Sequence, residues 1–146
     1  MRRIFADSSV VISGSVSRTG ASRAILSMAE IGLFQLVVSH QVLDECERNL
    51  RKKSPAALPY FAQLLASINL AIVEDPTPED SLRWLVYIEI NDAPILAAAV
   101  AAGVDRLLTL NTKHFTPQVA QASGLHIQIP GEFVQEIRTI VTQGLP

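Results

Sequence analysis

Three acidic side chains stand at separate points of the sequence where a metal site would need them. Asp7 follows a short apolar run, Glu45 lies in a helical pattern, and Asp92 begins an alanine-rich helical pattern. Carboxylates gathered in one cavity repel one another, and a hard divalent cation such as Mg²⁺ or Mn²⁺ relieves that repulsion through oxygen ligands. Such an ion lowers the pKa of a bound water and polarises a phosphodiester, which is the chemistry of metal nucleases.

Each of these acids also has an ordinary structural interpretation. Asp7 is suited to cap the helix that follows it, and Asp92 is suited to stabilise the positive end of its own helix. Around Glu45, the apolar stripe of the helical pattern leaves both Glu45 and Glu47 on its flanks. Periodicity alone therefore does not choose between the two glutamates.

The elements that must position these acids are short strands alternating with helices. Five runs rich in Ile, Leu and Val predict strands buried on both faces, at residues 3–6, 34–39, 69–74, 106–110 and 126–129. Helical patterns occupy residues 21–31, 41–53, 58–67, 79–90, 92–102 and 132–142. This alternation predicts an α/β fold with a mostly parallel sheet covered on both faces. Functional residues of such folds gather at the carboxyl ends of the strands, where Asp7 and Asn111 are expected.

Length and composition narrow the class of protein. The 146 residues fit a single domain over 1–146, and a hydrophobic content of 49% is enough for a buried core. The formal net charge is −2, so any contact with nucleic acid must come from local basic patches. A single cysteine, Cys46, excludes an internal disulfide and a thiolate zinc cage, and His40, His114 and His126 lack zinc-ligand spacing. No run approaches the ~20 apolar residues of a membrane span, so we expect a cytoplasmic protein with no membrane contact.

The order and spacing of several segments resemble the PIN-domain family over nearly the whole chain. The segments are IFADSSVVIS, VSHQVLDE, NDAPILAAA, GVDRLLTLNTKHF and IQIPGEF, at residues 4–13, 38–45, 91–99, 103–115 and 127–133. The resemblance implies a three-layer α/β/α sandwich with a five-stranded parallel sheet. It also implies a Mg²⁺- or Mn²⁺-dependent endoribonuclease that hydrolyses RNA phosphodiesters. Many compact members are VapC-like toxins that a cognate antitoxin inhibits and that often dimerise, so an antitoxin and a homodimer are implied partners.

Carried over residue by residue, the resemblance makes Asp7, Glu45 and Asp92 the metal-binding and catalytic acids. It favours Glu45 over Glu47 as the acid of the second motif. Asn111 completes the catalytic set at a position where many members have a fourth acid. Its amide carbonyl can bind a metal but adds no charge, so we expect a second ion to be held weakly.

Substrate contacts are expected from Thr109, Lys113 and Arg48. Thr109 belongs to the turn that leads to Asn111, and the resemblance implies that it orders this turn. Lys113 and Arg48 are cations close in sequence to the predicted acids, and they are suited to RNA phosphates. Ser9 stands where the family often has Asn, which predicts the loss of one polar partner near the site.

Two other interpretations remain open. Asn111 and Ser9 also suit a non-catalytic PIN-fold RNA- or protein-binding module with a weakened metal site. A phospho-acceptor receiver domain likewise places acids at the carboxyl ends of parallel strands. That chemistry requires paired acids after the first strand and a lysine after the last. Here Asp7 is followed by Ser8 and Ser9, and the last run ends at Pro130.

Overall fold

A computed structural model describes residues 2–144. Its strands are β1 (Arg3–Ala6), β2 (Gln35–Ser39), β3 (Leu70–Val73), β4 (Arg106–Leu108) and β5 (Ile127–Gln128). Its helices are α1 (Ser8–Val16), α2 (Ala21–Glu30), α3 (His40–Lys53), α4 (Leu58–Ser67), α5 (Pro78–Leu82), α6 (Ala93–Ala102), α7 (Pro117–Ser123) and α8 (Pro130–Gly144), with a 3₁₀ turn at Pro55–Ala57. None of the helices in this part of the chain combines the length and the apolarity needed to cross a membrane.

The five strands form one parallel sheet in the order β3-β2-β1-β4-β5. The chain winds outward from β1 through β2 to β3, then returns to the other side of β1 for β4 and β5. Helices α1 to α4 contact one another, α8 packs on α2, and α5 packs on α6. Right-handed crossovers, the rule for parallel strands, put the helices between β1 and β3 on one face and those between β3 and β5 on the other, which gives three layers. The predicted α/β/α sandwich is confirmed. A receiver domain would have the order 2-1-3-4-5, so this topology rules out that interpretation.

The centre of the sheet forms the core, as its continuous apolar runs predict. Ile4, Phe5 and Ala6 of β1 have no exposed surface, and the side chains of β2 and β4 around them are almost as deeply buried. Burying an aliphatic or aromatic side chain of this size contributes about 1.5–3 kcal/mol. That residues 1–146 form one domain stays a prediction, and its ends, 1 and 145–146, lie outside the described residues.

Close packing of α1 against α2 fixes the helix that begins directly after Asp7. A Cβ atom built on Gly14 of α1 would lie 2.6 Å from Cδ1 of Leu26 and 2.9 Å from the carbonyl oxygen of Ser22 in α2. Only a residue without a side chain allows this approach. The guanidinium of Arg23 also donates to the Gly14 carbonyl and ties the two helices together.

The predicted helix at residues 79–90 is wrong over most of its length. The chain forms only the short α5, Pro78–Leu82, and continues as turns up to Asp92. Trp84 and Ile88 are buried, whereas Val86 and Ile90 are 84% and 71% exposed. The apolar residues of this segment therefore do not form one buried helical face.

Helix α7 was not among the predicted elements, although its sequence carries the usual boundary signals. The hydroxyl of Thr116 accepts a hydrogen bond from the backbone N–H of Val119, and Pro117 occupies the first turn. Gly124 ends the helix with a φ of +73°. The helix is short and buries only Val119, so it leaves almost no periodic apolar pattern.

Candidate metal centre

Asp7 lies at the carboxyl end of β1, where the direction of winding reverses between β1 and β4. This crevice is where ligands of open parallel sheets bind. The side chain is 4% exposed. Its Oδ1 accepts from the Ser9 hydroxyl at 2.5 Å, and its Oδ2 accepts from the Thr109 hydroxyl at 2.5 Å. Oδ1 also accepts a long bond of 3.4 Å from the backbone N–H of Val10, so Asp7 both caps α1 and faces the crevice.

The electrostatic setting of Asp7 suits a bound cation. Burial raises the pKa of Asp7 above its ordinary value, and hydrogen bonds from Ser9 and Thr109 offset part of that effect. Within residues 2–144, no Lys, Arg or His forms an ion pair with Asp7. A buried carboxylate held by neutral donors is stabilised in its charged form by a nearby cation. The oxygen donors present here fit a hard divalent ion.

Ser9 and Thr109 join the end of β1 to the turn after β4. The Ser9 hydroxyl accepts from the backbone N–H of Leu110 at 3.0 Å, and the Thr109 hydroxyl accepts from the N–H of Asn111 at 2.9 Å. Thr109 thus takes the ordering role expected of it. Direct contact with RNA, which we also expected, is not available to a side chain with no exposed surface. The predicted loss of a polar partner at Ser9 does not occur, because the Ser9 hydroxyl binds Asp7 directly.

Glu45 points toward the same end of the sheet. Its Oε2 accepts from the Ser8 hydroxyl at 2.7 Å, and its Oε1 accepts from the amide of Gln41 at 2.9 Å. Glu47 instead forms an ion pair of 2.6 Å with Arg51, and both of these side chains are more than half exposed. The structure thus distinguishes the two glutamates that periodicity left equal.

The buried thiol of Cys46 lies near both Glu45 and Asp7. Its pKa is raised first by burial and then by the negative charges of Glu45 and Asp7. The Sγ atom lies 3.9 Å from the carbonyl oxygen of Ser8. Ser8 directly follows Asp7, and its hydroxyl donates to Glu45. Cys46 is a fully buried residue of the core.

Asp92 stands at the N-terminus of α6, but its side chain makes no capping hydrogen bond. Its Oδ2 lies 2.6 Å from Nδ1 of His114, and the side chain is 17% exposed. Asn111 adjoins this pair, with its amide Nδ2 3.1 Å from the same ring nitrogen. The structural interpretation of Asp92, that it stabilises the positive end of its own helix, does not account for this contact.

Gln41 connects the surroundings of Glu45 and Asp92. Its amide donates to Glu45 and also to the carbonyl oxygen of Asn91, at 3.1 Å. The three predicted acids nevertheless do not form the tightest group of ligands. Among residues 2–144, three His, Cys, Asp or Glu side chains whose ligand atoms all lie within 4.8 Å occur only at Glu89, Asp92 and His114.

Sequence reasoning missed Glu89 and His114. The available signals were weak: Glu89 precedes Asp92 by three residues, and His114 follows Asn111 by three. Either spacing is common in turns without function. The prediction that residues 79–90 form one helix also hid the turn in which Glu89 lies.

Arg48 and Lys113 are exposed on different sides of the acids. Arg48 shares a surface depression with Gln41, which binds Glu45. Lys113 lines a shallow cavity of about 400 Å³ together with Glu89 and His114. Their contact with RNA stays a prediction, and their positions are compatible with it.

Comparison with known proteins gives one family match and several structural likenesses. The family model of the PIN domain matches residues 3–113, a range that includes Asp7, Glu45, Asp92 and Asn111. No curated protein matches the chain.

Three solved structures illustrate the likeness, and at their level of sequence identity it concerns the fold. VapBC2 from Rickettsia felis, bound to a DNA fragment from their promoter, is 16% identical, with a TM-score of 0.65 over 87% of this chain and 98% of that chain. PAE2754 from Pyrobaculum aerophilum is 18% identical, with a TM-score of 0.64 over 92% and 88%. VapC20 from Mycobacterium tuberculosis, a sarcin-ricin loop cleaving toxin, is 17% identical, with a TM-score of 0.57 over 82% and 94%.

Proposed function

Because the chain belongs to the PIN-domain family, we propose that it is a metal-dependent endoribonuclease that hydrolyses RNA phosphodiesters. The observation that carries this proposal is Asp7, a buried carboxylate at the switch point of the sheet that is held by hydroxyl and backbone donors. Glu45 lies in α3 and Asp92 at the start of α6, and Gln41 donates both to Glu45 and to the carbonyl oxygen of Asn91, next to Asp92. A divalent ion, Mg²⁺ or Mn²⁺, supplies Lewis acidity toward a phosphodiester and lowers the pKa of water.

In this proposal Asp7, Glu45 and Asp92 hold the ion. Ser9 and Thr109 keep the Asp7 carboxylate in place through its two oxygens. Partners of this kind restrict the rotation of a ligand side chain, and their loss typically reduces metal affinity about 10–100-fold. The site is therefore oriented before an ion binds.

Glu45 is oriented in the same way from its own side of the crevice. Ser8 and Gln41 each donate to one of its carboxylate oxygens. Asn111 adds an amide at the turn beyond β4, without charge. A neutral donor at this position favours one tightly held ion over two.

RNA phosphates are bound by Arg48 and Lys113 in this proposal. Both cations are exposed, and they flank the acids on the Gln41 side and the His114 side. A protein with a net charge of −2 depends on such local cations, because its overall field does not attract a polyanion.

The likeness to VapBC2 and VapC20 supports a more specific role as the toxin component of a toxin–antitoxin pair. The partners would then be RNA and a cognate antitoxin, and the chain would form a homodimer.

The test is cleavage of a pool of labelled single-stranded and structured RNAs in Mg²⁺, in Mn²⁺ and in a chelator. Asp92→Asn should lose activity by about two orders of magnitude or more, because it removes a ligand charge while preserving the shape of the side chain. The matched control is Asp80→Asn, since the Asp80 side chain is exposed and lies in α5. Thermal melting of both variants establishes that they are folded.

We expect the wild type and Asp80→Asn to cleave RNA. We expect this cleavage to stop in chelator. Undiminished cleavage by Asp92→Asn, or cleavage that persists without metal, would sink the assignment. A wild type that binds RNA but leaves every member of the pool intact would favour the non-catalytic module.

A further inference from the structure

A group of potential metal ligands surrounds Asp92 and extends beyond the acids considered so far. The ring of His114 lies between two carboxylates, with Nδ1 2.6 Å from Asp92 Oδ2 and Nε2 3.5 Å from Glu89 Oε1. One ligand atom from each of the three residues lies within 4.8 Å of the other two. Two ligands on opposite sides of one ion are about 4 Å apart when each bond is about 2.0–2.1 Å long. Small side-chain movements therefore suffice for a shared ion.

Backbone hydrogen bonds hold the two turns that carry this group. The N–H groups of Asp92 and Ala93 both donate to the Glu89 carbonyl, at 3.0 and 2.9 Å. On the facing turn, the N–H groups of His114 and Phe115 donate to the Asn111 carbonyl, at 3.3 and 2.9 Å, and the Phe115 ring is buried. The three side chains are thus brought together by the backbone and not by their own attraction alone.

The group carries an excess of negative charge that the rest of the described chain does not neutralise. Within residues 2–144, neither Glu89 nor Asp92 forms an ion pair with Lys or Arg, and His114 is their shared partner. One imidazole cannot balance two carboxylates, even when it is protonated. Glu89 is 64% exposed, but Asp92 is 17% exposed and His114 35% exposed, so solvent screens that pair only in part. A divalent cation is attracted more strongly to such a partly desolvated group than to surface acids.

We propose that His114 and Glu89 are metal ligands that join Asp92 in a mixed nitrogen–oxygen set. Imidazole suits first-row transition ions, whereas Mg²⁺ prefers a shell made of oxygen ligands. The site therefore holds Mn²⁺ or Zn²⁺ in preference to Mg²⁺. This inference rests on the proposed placement of an ion at Asp92, but it does not depend on RNA cleavage.

Pulsed electron paramagnetic resonance of Mn²⁺ bound to the full chain tests the nitrogen ligand directly. A histidine that binds Mn²⁺ gives ¹⁴N modulation, and this signal should be present in the wild type and lost in His114→Gln. His126→Gln is the matched control, because His126 is exposed just before β5, at the opposite end of the sheet. The signal should survive in that control.

Calorimetric titration with Mn²⁺, Zn²⁺ and Mg²⁺ tests the preference among ions. His114→Gln should weaken Mn²⁺ and Zn²⁺ binding by roughly tenfold or more, and Mg²⁺ binding by clearly less. Glu89→Gln removes an oxygen ligand, so it should weaken the binding of all three ions. Bound Mn²⁺ without ¹⁴N modulation in the wild type overturns the proposal, as does modulation that persists in His114→Gln. Absence of any Mn²⁺ or Zn²⁺ binding overturns it too.

The outcomes separate this inference from the proposed function. RNA cleavage in Mg²⁺ together with absent ¹⁴N modulation would refute the His114 ligand and leave the nuclease standing. Modulation that is present in a chain unable to cleave RNA would refute the nuclease and leave the mixed site standing.

Discussion

The Thr109 hydroxyl donates a hydrogen bond of 2.5 Å to Oδ2 of Asp7, although the two residues are 102 positions apart in the sequence. The same hydroxyl oxygen accepts from the backbone N–H of Asn111. One fully buried side chain therefore sets both the orientation of the acid and the shape of the turn after β4.

Replacing Thr109→Val should lower the free energy of unfolding by about 1–3 kcal/mol, because it leaves a buried carboxylate oxygen and a backbone N–H without their partner. Valine has nearly the shape of threonine, so lost packing contributes little. Urea denaturation measures the change, with Thr112→Val as the control because Thr112 is exposed in the same turn. Equal losses in the two variants would contradict the role given to the Thr109 hydroxyl.

Stability of the metal-free protein should depend on pH through Asp7. Burial raises the folded-state pKa of Asp7 above its ordinary value of 3.8. Between the two pKa values the folded chain keeps a proton that the unfolded chain releases, so the free energy of unfolding falls as pH rises through that interval. Above the folded-state pKa the loss is complete and the curve is level.

The variant Asp7→Asn has no such proton, so it should gain stability relative to the wild type as pH rises from about 4. The measurement is urea denaturation in chelator at a series of pH values, with Asp105→Asn as the control at the opposite end of β4, where its carboxylate accepts from the Arg3 N–H. A difference between wild type and Asp7→Asn that is constant with pH would show that burial does not shift this group.

The two neighbouring glutamates of α3 should differ sharply in metal binding. Glu45→Gln should weaken Mn²⁺ binding by roughly tenfold or more, because it removes a ligand charge held by Ser8 and Gln41. Glu47→Gln should leave binding unchanged and alter stability by less than about 1 kcal/mol, since its pair with Arg51 is exposed. Calorimetry measures both, and an equal loss of affinity in the two variants would place the ion elsewhere on the helix.

Adding a charge at Asn111 should strengthen the site. Asn111→Asp places a carboxylate beside His114 and Asp92, and it should tighten Mn²⁺ binding several-fold. Asn69→Asp is the control, because Asn69 is exposed immediately before β3, at the far end of the sheet. If RNA cleavage rises from nothing in Asn111→Asp, the natural chain is the binding module and not the enzyme.

The strands could be predicted because each buried strand corresponds to a short run of mainly apolar residues in the sequence. A strand covered on both faces is mostly apolar, and the predicted runs match β1 to β5 to within two residues at each end, although Arg3, Gln35, Arg106 and Gln128 are polar. The acid Asp7 could be placed for the same reason, since it directly follows such a run. Parallel pairing then brings the carboxyl ends of β1 and β4 together.

The contact between Asp92 and His114 could not be predicted from local pattern. The two residues lie 22 positions apart, with α6 and β4 between them, and spacing rules for metal ligands describe residues on one helix or one loop. Glu89 was harder still, because the apolar residues around it imitate an amphipathic helix. Leu85, Val86 and Ile90 are exposed, and that fact depends on tertiary structure.

The strand order also governs when the site comes into existence during synthesis. β1, β2 and β3 are contiguous in the sheet and are complete once residue 73 has been made, but β4 must join β1 from the other side. With β1 to β3 already paired, β4 joins the sheet through the segment between residues 73 and 106, and this pairing waits until that segment has been made. When β3 has just been made, the growing chain therefore contains Asp7 but neither Asp92 nor Thr109. The crevice is therefore incomplete, and cannot act on any substrate near the translating ribosome, until most of the chain has been made.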